Sequence, residues 1–316
     1  MRYFIFIPVI AFFILQGCAT SRYYTLDTME FEAIDYGFPT KKVQVRNISI
    51  GLIDEGEGEQ VLLLIHGLGA NAKSWIKNIP ALANEYRVIA LDLPGYGKSD
   101  KGYYQYSMDF YADVVVELLT AMSIDRATLI GHSMGGQISM FTALKYPKRV
   151  DNLVLISPAG FERFTAGEGA WMRKAVSAEF VEDTPIRNID INARATFYEM
   201  PDWADFIITD RIQIRSAKEF DRYCYAVSKN VAAMLDGIVW DRLDQIKPRT
   251  LIIFGEQDGL IPNPYLHGGR TRDIAAIGVH EIPDNELVMI PKCGHFVQLE
   301  KPDQTNAAIK IFLTKK

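Results

Sequence analysis

Cysteine is scarce in this chain, three in 316 residues. Setting Cys18 aside, Cys224 and Cys293 stand far apart in sequence, and two such residues in a large domain are expected as buried thiols rather than a bridge. There is no basic stripe and no arginine-rich run. With a net charge of −5, nucleic acid is excluded as a partner. No low-complexity tract and no repeat of 20–50 residues occurs, which removes solenoids and propellers. The glycine-containing stretch His66-Gly67-Leu68-Gly69 lacks the Gly-Lys-Ser/Thr ending of a phosphate cradle. No cofactor and no metal is expected. The apolar run Phe4–Leu15 is only twelve residues long, too short for a stable transmembrane helix.

That run instead suits the core of a signal peptide over residues 1–17, following Arg2. Its end, Leu15-Gln16-Gly17-Cys18, resembles a bacterial lipoprotein box, in which cleavage precedes the cysteine and the sulfur carries a diacylglycerol. Gln16 is unusual there, and a plain secretory signal or short anchor helix is the alternative. Acyl chains on Cys18, at about 0.8 kcal/mol per buried methylene, would hold the protein on a membrane. Ala19 is not the aspartate that retains lipoproteins at the inner membrane of Gram-negative bacteria. The expected location is therefore the bacterial cell envelope, lipid-anchored, at the outer membrane in a Gram-negative host.

What remains is long enough for one α/β domain with an insertion, and its 48% hydrophobic content can fill a core. Residues 18–40 read as a lipidated tether. Lys41 to Asp54 alternates and suits two antiparallel edge strands. Short apolar runs follow at Val61–Ile65, Arg87–Leu91, Thr128–Ile130, Leu153–Ile156, Leu251–Phe254 and Leu287–Ile290. Such runs are strands buried on both faces of a parallel sheet, and helical stretches separate them. Ser107 opens one helix, with Phe110, Val114, Leu118 and Met122 on its apolar face. Residues 162–245 break the rhythm. They read as a helical cap inserted after the sixth strand, over the strand ends where ligands bind open α/β sheets. Its best helix is expected to start at Ser216, with Glu219 completing a capping box, and to end at Gly237. Trp171, Phe197 and Trp203 are expected to line an acyl channel. The core is then residues 41–161 and 246–316.

Gly131-His132-Ser133-Met134-Gly135 sits between an apolar β-branched run and a helical stretch. Strand, Gly-x-Ser-x-Gly, helix is the context of a nucleophile elbow, in which glycines let the chain reverse tightly and present the serine. Serine is a poor nucleophile and needs a base. Of five histidines, His295 follows the last apolar run on a loop, as a base should. His132 is expected to point away from Ser133. The orienting acid should follow the preceding strand, where Asp258 stands, with Glu256 the competitor. Leu68 in the glycine bend and Met134 after the nucleophile are the expected oxyanion donors.

With these residues the chain resembles the α/β-hydrolase superfamily from about Lys41 to Lys315. Further marks are Asp92-Leu93-Pro94-Gly95-Tyr96-Gly97-Lys98-Ser99, Tyr146-Pro147-Lys148-Arg149-Val150 and Gly294-His295-Phe296-Val297-Gln298-Leu299-Glu300-Lys301-Pro302. One departure is the 37 residues between Asp258 and His295, several more than the family leads one to expect. The resemblance implies an α/β-hydrolase fold with a mostly parallel, doubly wound sheet. It implies a capped serine esterase or lipase acting on a small-molecule or lipid ester through Ser133, His295 and Asp258. The alternative is a carbon–carbon bond hydrolase of dienoic diketones using the same triad. A surface lipoprotein that binds without turnover is the reading from another class. A monomer is expected.

Overall fold

Eight extended segments form one sheet: β1 (Lys41–Val45), β2 (Ile48–Glu55), β3 (Val61–Ile65), β4 (Arg87–Leu91), β5 (Ala127–His132), β6 (Val150–Ile156), β7 (Arg249–Gly255) and β8 (Asn285–Ile290). The computed structural model describes residues 22–315. Strand order is β1-β2-β4-β3-β5-β6-β7-β8. Only β2 runs antiparallel to its neighbours; β4, β3, β5, β6, β7 and β8 are mutually parallel. The fold is thus the mostly parallel sheet that the apolar runs imply, in the form that the α/β-hydrolase resemblance leads one to expect. Central strands are continuous apolar runs because helices cover both faces. Leu62, Leu63, Leu64 and Ile65 of β3 are all fully buried. β8 differs: it is an edge strand, and Leu287 is exposed.

The helices are α1 (Ile79–Leu82), α2 (Met108–Ala121), α3 (Met134–Lys145), α4 (Ala166–Ala175), α5 (Ala178–Glu182), α6 (Ile186–Ala195), α7 (Phe206–Gln213), α8 (Phe220–Asp236), α9 (Thr271–Glu281), α10 (Val297–Glu300) and α11 (Pro302–Thr314). Ser107 caps α2 by accepting the Phe110 N–H, and Val114 and Leu118 bury its apolar face. Helices α4 to α8 all lie between β6 and β7. α8 begins at Phe220 rather than at Ser216, because Ile214–Ser216 forms a tight 3-10 turn and Ala217 then swings to extended backbone. Cys224 and Cys293 are both buried and free. Among the described residues, no helix is long and apolar enough to cross a membrane. Cys18 and the signal peptide lie outside the described residues.

Residues 22–40, expected only as a tether, are packed against both the sheet domain and the inserted helices. Tyr23, Phe31, Ile34 and Tyr36 are buried. Burying an apolar or aromatic side chain is worth about 1.5–3 kcal/mol, enough to hold a short segment that has four. Tyr23 packs with Ile189, Ile208 and Ile212 of the insertion. Arg22 pairs with Asp205 at 2.7 Å, and the Met29 N–H donates to the Gln213 carbonyl. Tyr36 reaches the sheet domain, where its hydroxyl donates to Asp92 Oδ2 at 2.8 Å. Asp92 also accepts the N–H groups of Ala72 and Lys98, so one buried carboxylate gathers three chain segments.

A Tyr36→Phe substitution should lower stability by about 2 kcal/mol, since it removes one hydrogen bond to a buried charge and nothing else. Urea unfolding would read this as a lower midpoint at unchanged slope. An unshifted midpoint would mean that the segment is not anchored at Asp92.

Candidate active site

The elbow at the end of β5 is a steric consequence of two glycines. A Cβ on Gly131 would overlap the Gly135 carbonyl, and one on Gly135 would overlap the carbonyl of Ile65 at the end of β3. With both bare, the chain turns from β5 into α3 within one residue, and that residue, Ser133, takes φ +53° and ψ −119°. Such backbone costs a non-glycine residue about 1–3 kcal/mol and persists only where surroundings enforce it. Here the Ser133 N–H donates to the Ile156 carbonyl, and the Ser133 carbonyl accepts from Gly136 and Ala159.

His295 and Asp258 stand on loops after β8 and β7. His295 Nδ1 lies 2.8 Å from Asp258 Oδ2, and both side chains are almost wholly buried. Asp258 Oδ1 accepts the N–H groups of Leu260 and Ile261, which fixes the carboxylate's orientation. The ring is thereby held as the tautomer with Nδ1–H, leaving Nε2 as its acceptor. Glu256 faces elsewhere, 3.7 Å from Arg272. The His295 backbone N–H donates to the Thr196 carbonyl at 2.7 Å, so the insertion itself positions the histidine. Glu300 adds a second tie. Its buried carboxylate accepts the N–H groups of Gly294, Tyr198 and Glu199.

Ser133, His132 and His295 line one cavity of about 380 Å³. Its other walls include Phe164, Met172, Met234, Leu235, Val239 and Trp240, with Glu162 at one side. Leu68 is shared between this cavity and a second of about 340 Å³. The glycine bend that carries it approaches Ser133 closely: a Cβ on Gly67 would sit 3.1 Å from both Ser133 Cβ and His132 Nδ1. Met134 begins α3, where backbone N–H groups are free to face a ligand. The arrangement can deliver a hydroxyl to a carbonyl carbon, take up its proton at His295, and meet the resulting oxyanion with two N–H groups.

Four expectations about side chains fail. His132 does not point away from the site: its ring lines the Ser133 cavity, 4.8 Å from that of His295. Trp171 and Trp203 do not line it either. Trp171 is exposed, and Trp203 carries the Lys77 ammonium over its ring. Phe197 lines neither cavity; it is buried against Phe296, the residue beside His295. Sequence reading also missed Arg211. It lines the second cavity with its guanidinium over the Phe220 ring and donates to the Val181 carbonyl. Its Nη1 is buried with no protein partner among the described residues. Nothing in the spacing around Arg211 marks it, because helix α7 only acquires an inner face once folded over the sheet. Among the described residues, no group of three histidine, cysteine or acidic side chains could hold a metal ion.

Two buried histidines bracket the glycine bend and stay neutral. His66 Nδ1 donates to the Gly67 carbonyl and Nε2 accepts the Leu93 N–H, while burial lowers its pKa to about 4. His132 Nε2 donates to the His295 carbonyl, and burial, with a further push from His295, holds its pKa well below 6.5. A histidine depressed in the folded state favours folding above its unfolded pKa and loses that contribution as pH falls. Stability should therefore drop between about pH 7 and pH 4, His66 alone accounting for about 2 kcal/mol by pH 5. Chemical unfolding at stepped pH would check this, with His66→Gln losing about one proton's worth of slope. An identical slope in both proteins would contradict the neutral assignment.

The profile of the alpha/beta hydrolase fold family matches residues 60–302. The chain is 33% identical over 264 residues to the dihydrolipoyllysine-residue acetyltransferase component of the acetoin cleaving system from Pseudomonas putida. That match spans 82% of this chain and 65% of the relative's length. It is 29% identical over 274 residues to a 2-hydroxy-6-oxononadienedioate/2-hydroxy-6-oxononatrienedioate hydrolase from Burkholderia vietnamiensis, spanning 83% of this chain and 90% of the relative. Among solved structures, it resembles that of a probable hydrolytic enzyme from Pseudomonas aeruginosa PAO1, with a TM-score of 0.81 and 26% identity. There the likeness covers 92% of this chain and 99% of the other. A family profile that runs from β3 through the helix after His295 leaves no part of the site outside it: the chain belongs to the alpha/beta hydrolase family.

Proposed function

We propose that the chain is a serine hydrolase in which Ser133 attacks the carbonyl carbon of an acyl compound. The observation that carries this is the buried His295–Asp258 pair opening on the same cavity as the strained Ser133. His295 Nε2 takes the hydroxyl proton as the Ser133 Oγ–carbon bond forms, and Asp258 stabilises the imidazolium. The Leu68 and Met134 N–H groups hold the oxyanion; one such donor is typically worth about a hundred- to a thousandfold in rate. Collapse expels the leaving group with that proton. Water, deprotonated by His295, then releases the acid and restores Ser133.

For the bond cleaved, the leading reading is a carboxylic ester with an apolar acyl arm. It is supported by the Ser133 cavity, whose walls are mainly aliphatic, aromatic and thioether groups beside Gln137, Glu162 and Asn263, with no lysine or arginine among the described lining residues. Helices α4 to α8 would act as the cap. Membrane attachment through Cys18 belongs to the same reading, bringing the site to amphiphilic substrates. The second reading is carbon–carbon hydrolysis of an oxo-dienoic acid. Two observations favour it: the hydrolase relative just named, and the unpartnered guanidinium N–H of Arg211, which would suit a substrate carboxylate. The relatives speak for this second reading more than for the first.

One panel separates them: nitrophenyl esters of increasing acyl length beside a 2-hydroxy-6-oxo-dienoic acid, with Ser133→Ala as blank. Ester turnover whose kcat/KM climbs with chain length, indifferent to Arg211→Gln, supports the first reading. Efficient cleavage of the acid, with KM raised at least tenfold by Arg211→Gln, supports the second. Turnover of either substrate that survives Ser133→Ala would refute the nucleophile itself. Cys18→Ser should release the protein from membrane fractions or block its processing; wild-type protein free of acyl chains would refute the anchor.

A further inference from the structure

Behind Glu162, which lines the Ser133 cavity, one histidine is held between two carboxylates. His267 Nε2 lies 2.6 Å from Glu162 Oε1, and Nδ1 lies 3.0 Å from Glu168 Oε1. A neutral imidazole has one N–H and can donate to only one of them; the imidazolium donates to both. The two-sided contact therefore calls for a protonated ring. Its pKa is raised above 6.5, chiefly by the bond to Glu168 and then by Glu162, against the cost of burial. Glu168 is correspondingly held low, to about 2, by its bond to His267. Glu162 goes the other way: burial pushes it up, opposed by the Asn263 N–H and by His267.

The surrounding charges leave His267 as the one cation paired with either carboxylate among the described residues. Asp258 and Glu256 share a shallow hollow with His267 and Arg270. Arg270 is exposed and paired with Asp273, and Arg272 lies nearest Glu256. The cluster joins two parts of the cavity wall. Glu162 and Phe164 come from the chain leaving β6, while Leu260, Ile261 and Asn263 come from the loop that carries Asp258. The Asn263 N–H donates to Glu162 at 2.6 Å. Glu168 completes a capping box with Thr165 at the start of α4, so the same ring also grips the first helix of the insertion.

We propose that Glu162, His267 and Glu168 form a latch that sets how far the Ser133 cavity opens, making His267 a specificity-determining positioning residue for the substrate's long arm. Of its three members, His267 lies in the stretch between Asp258 and His295 that is longer than the family leads one to expect. Below the raised pKa it has two charge-assisted bonds. As pH rises through that value the proton leaves, one bond is lost, and two carboxylates are left with no cation between them. A raised histidine contributes most below its unfolded pKa and loses that contribution through its folded one. The walls then separate, long arms gain access, and short substrates are unaffected.

The inference rests on the Ser133 cavity being the substrate site, but hydrogen exchange reads the latch without any substrate. In the full chain, protection of the amides of residues 163–170, corrected for intrinsic exchange, should fall severalfold between about pH 6 and about pH 9. In His267→Gln it should be low at both, and Glu168→Gln, a change at a partly exposed position, should lie between. Alkyl fluorophosphonates add the functional readout. The long-to-short ratio of labelling rates at Ser133 should rise with pH in wild type and already be high in both variants at low pH, with short-chain labelling close to wild type. Exchange independent of pH, or variants matching wild type at low pH, would overturn the latch. No labelling with the exchange pattern intact would instead overturn the nucleophile and leave the latch standing.

Discussion

The site is organised around a place where three strands end at one height and have no room for side chains. β3, β5 and β6 stop together, and Gly131, Gly135 and Gly67 let backbone meet backbone there. Ser133 is the residue left over when that packing is satisfied. Its N–H is taken by β6 and its carbonyl by the turn after β6, so its strained φ is imposed from outside rather than chosen locally. Each other element is placed relative to this point. The glycine bend arrives from β3, α3 leaves from it, and His295 is delivered from β8, three strands along from β5. A methyl group at Gly135 would push α3 off β3 and unmake all of these distances at once.

Much of this was legible in the sequence because it depends on short-range sterics and chain order. Each of the continuous apolar runs is a strand, though the last, β8, lies at the edge and is not buried on both faces. Glycines flanking a serine between a strand and a helix mark the elbow. Asp258 and His295 were legible through their places after successive strands. What was illegible depends on how separate elements meet. His132 faces the cavity because its Nε2–H finds the His295 carbonyl, a partner 163 residues away. Trp171 is exposed because α4 turns its smaller residues inward, Gly169 being its buried residue. Ser216 looks like a cap, yet the turn that contains it ends in extended backbone before the helix begins. In each case local propensity is overruled by tertiary packing, which no window of sequence contains.

The inserted helices are more than a cover. They contribute the carbonyl of Thr196 to His295 and two N–H groups to Glu300, while Tyr223 of α8 donates to the Gly69 carbonyl in the glycine bend. Lys73, just beyond that bend, pairs with Asp210 of α7 at 2.8 Å with both side chains largely buried. Losing one partner of such a pair costs far more than the pair gains, because the remaining charge stays buried. Insertion and sheet domain are therefore tied at the very loops that carry His295 and Leu68. Changes in the insertion can reach Ser133 and His295 through backbone position as well as through the inserted side chains that line the cavity.

The segment that precedes β1 has a bearing on where this chain can be cut. By sequence it looks dispensable, and a soluble form would naturally be started near Lys41. Phe31 and Ile34, however, form part of the wall of the second cavity, and Tyr23 fills a gap between α6 and α7. Cutting at Lys41 would expose that cavity to solvent along one side and leave Ile189, Ile208 and Ile212 without their cover. The resulting protein would keep its sheet and its elbow while presenting a differently shaped binding region. Its preferences among substrates would then be those of a fragment, and the smallest faithful version of the folded unit starts no later than Arg22.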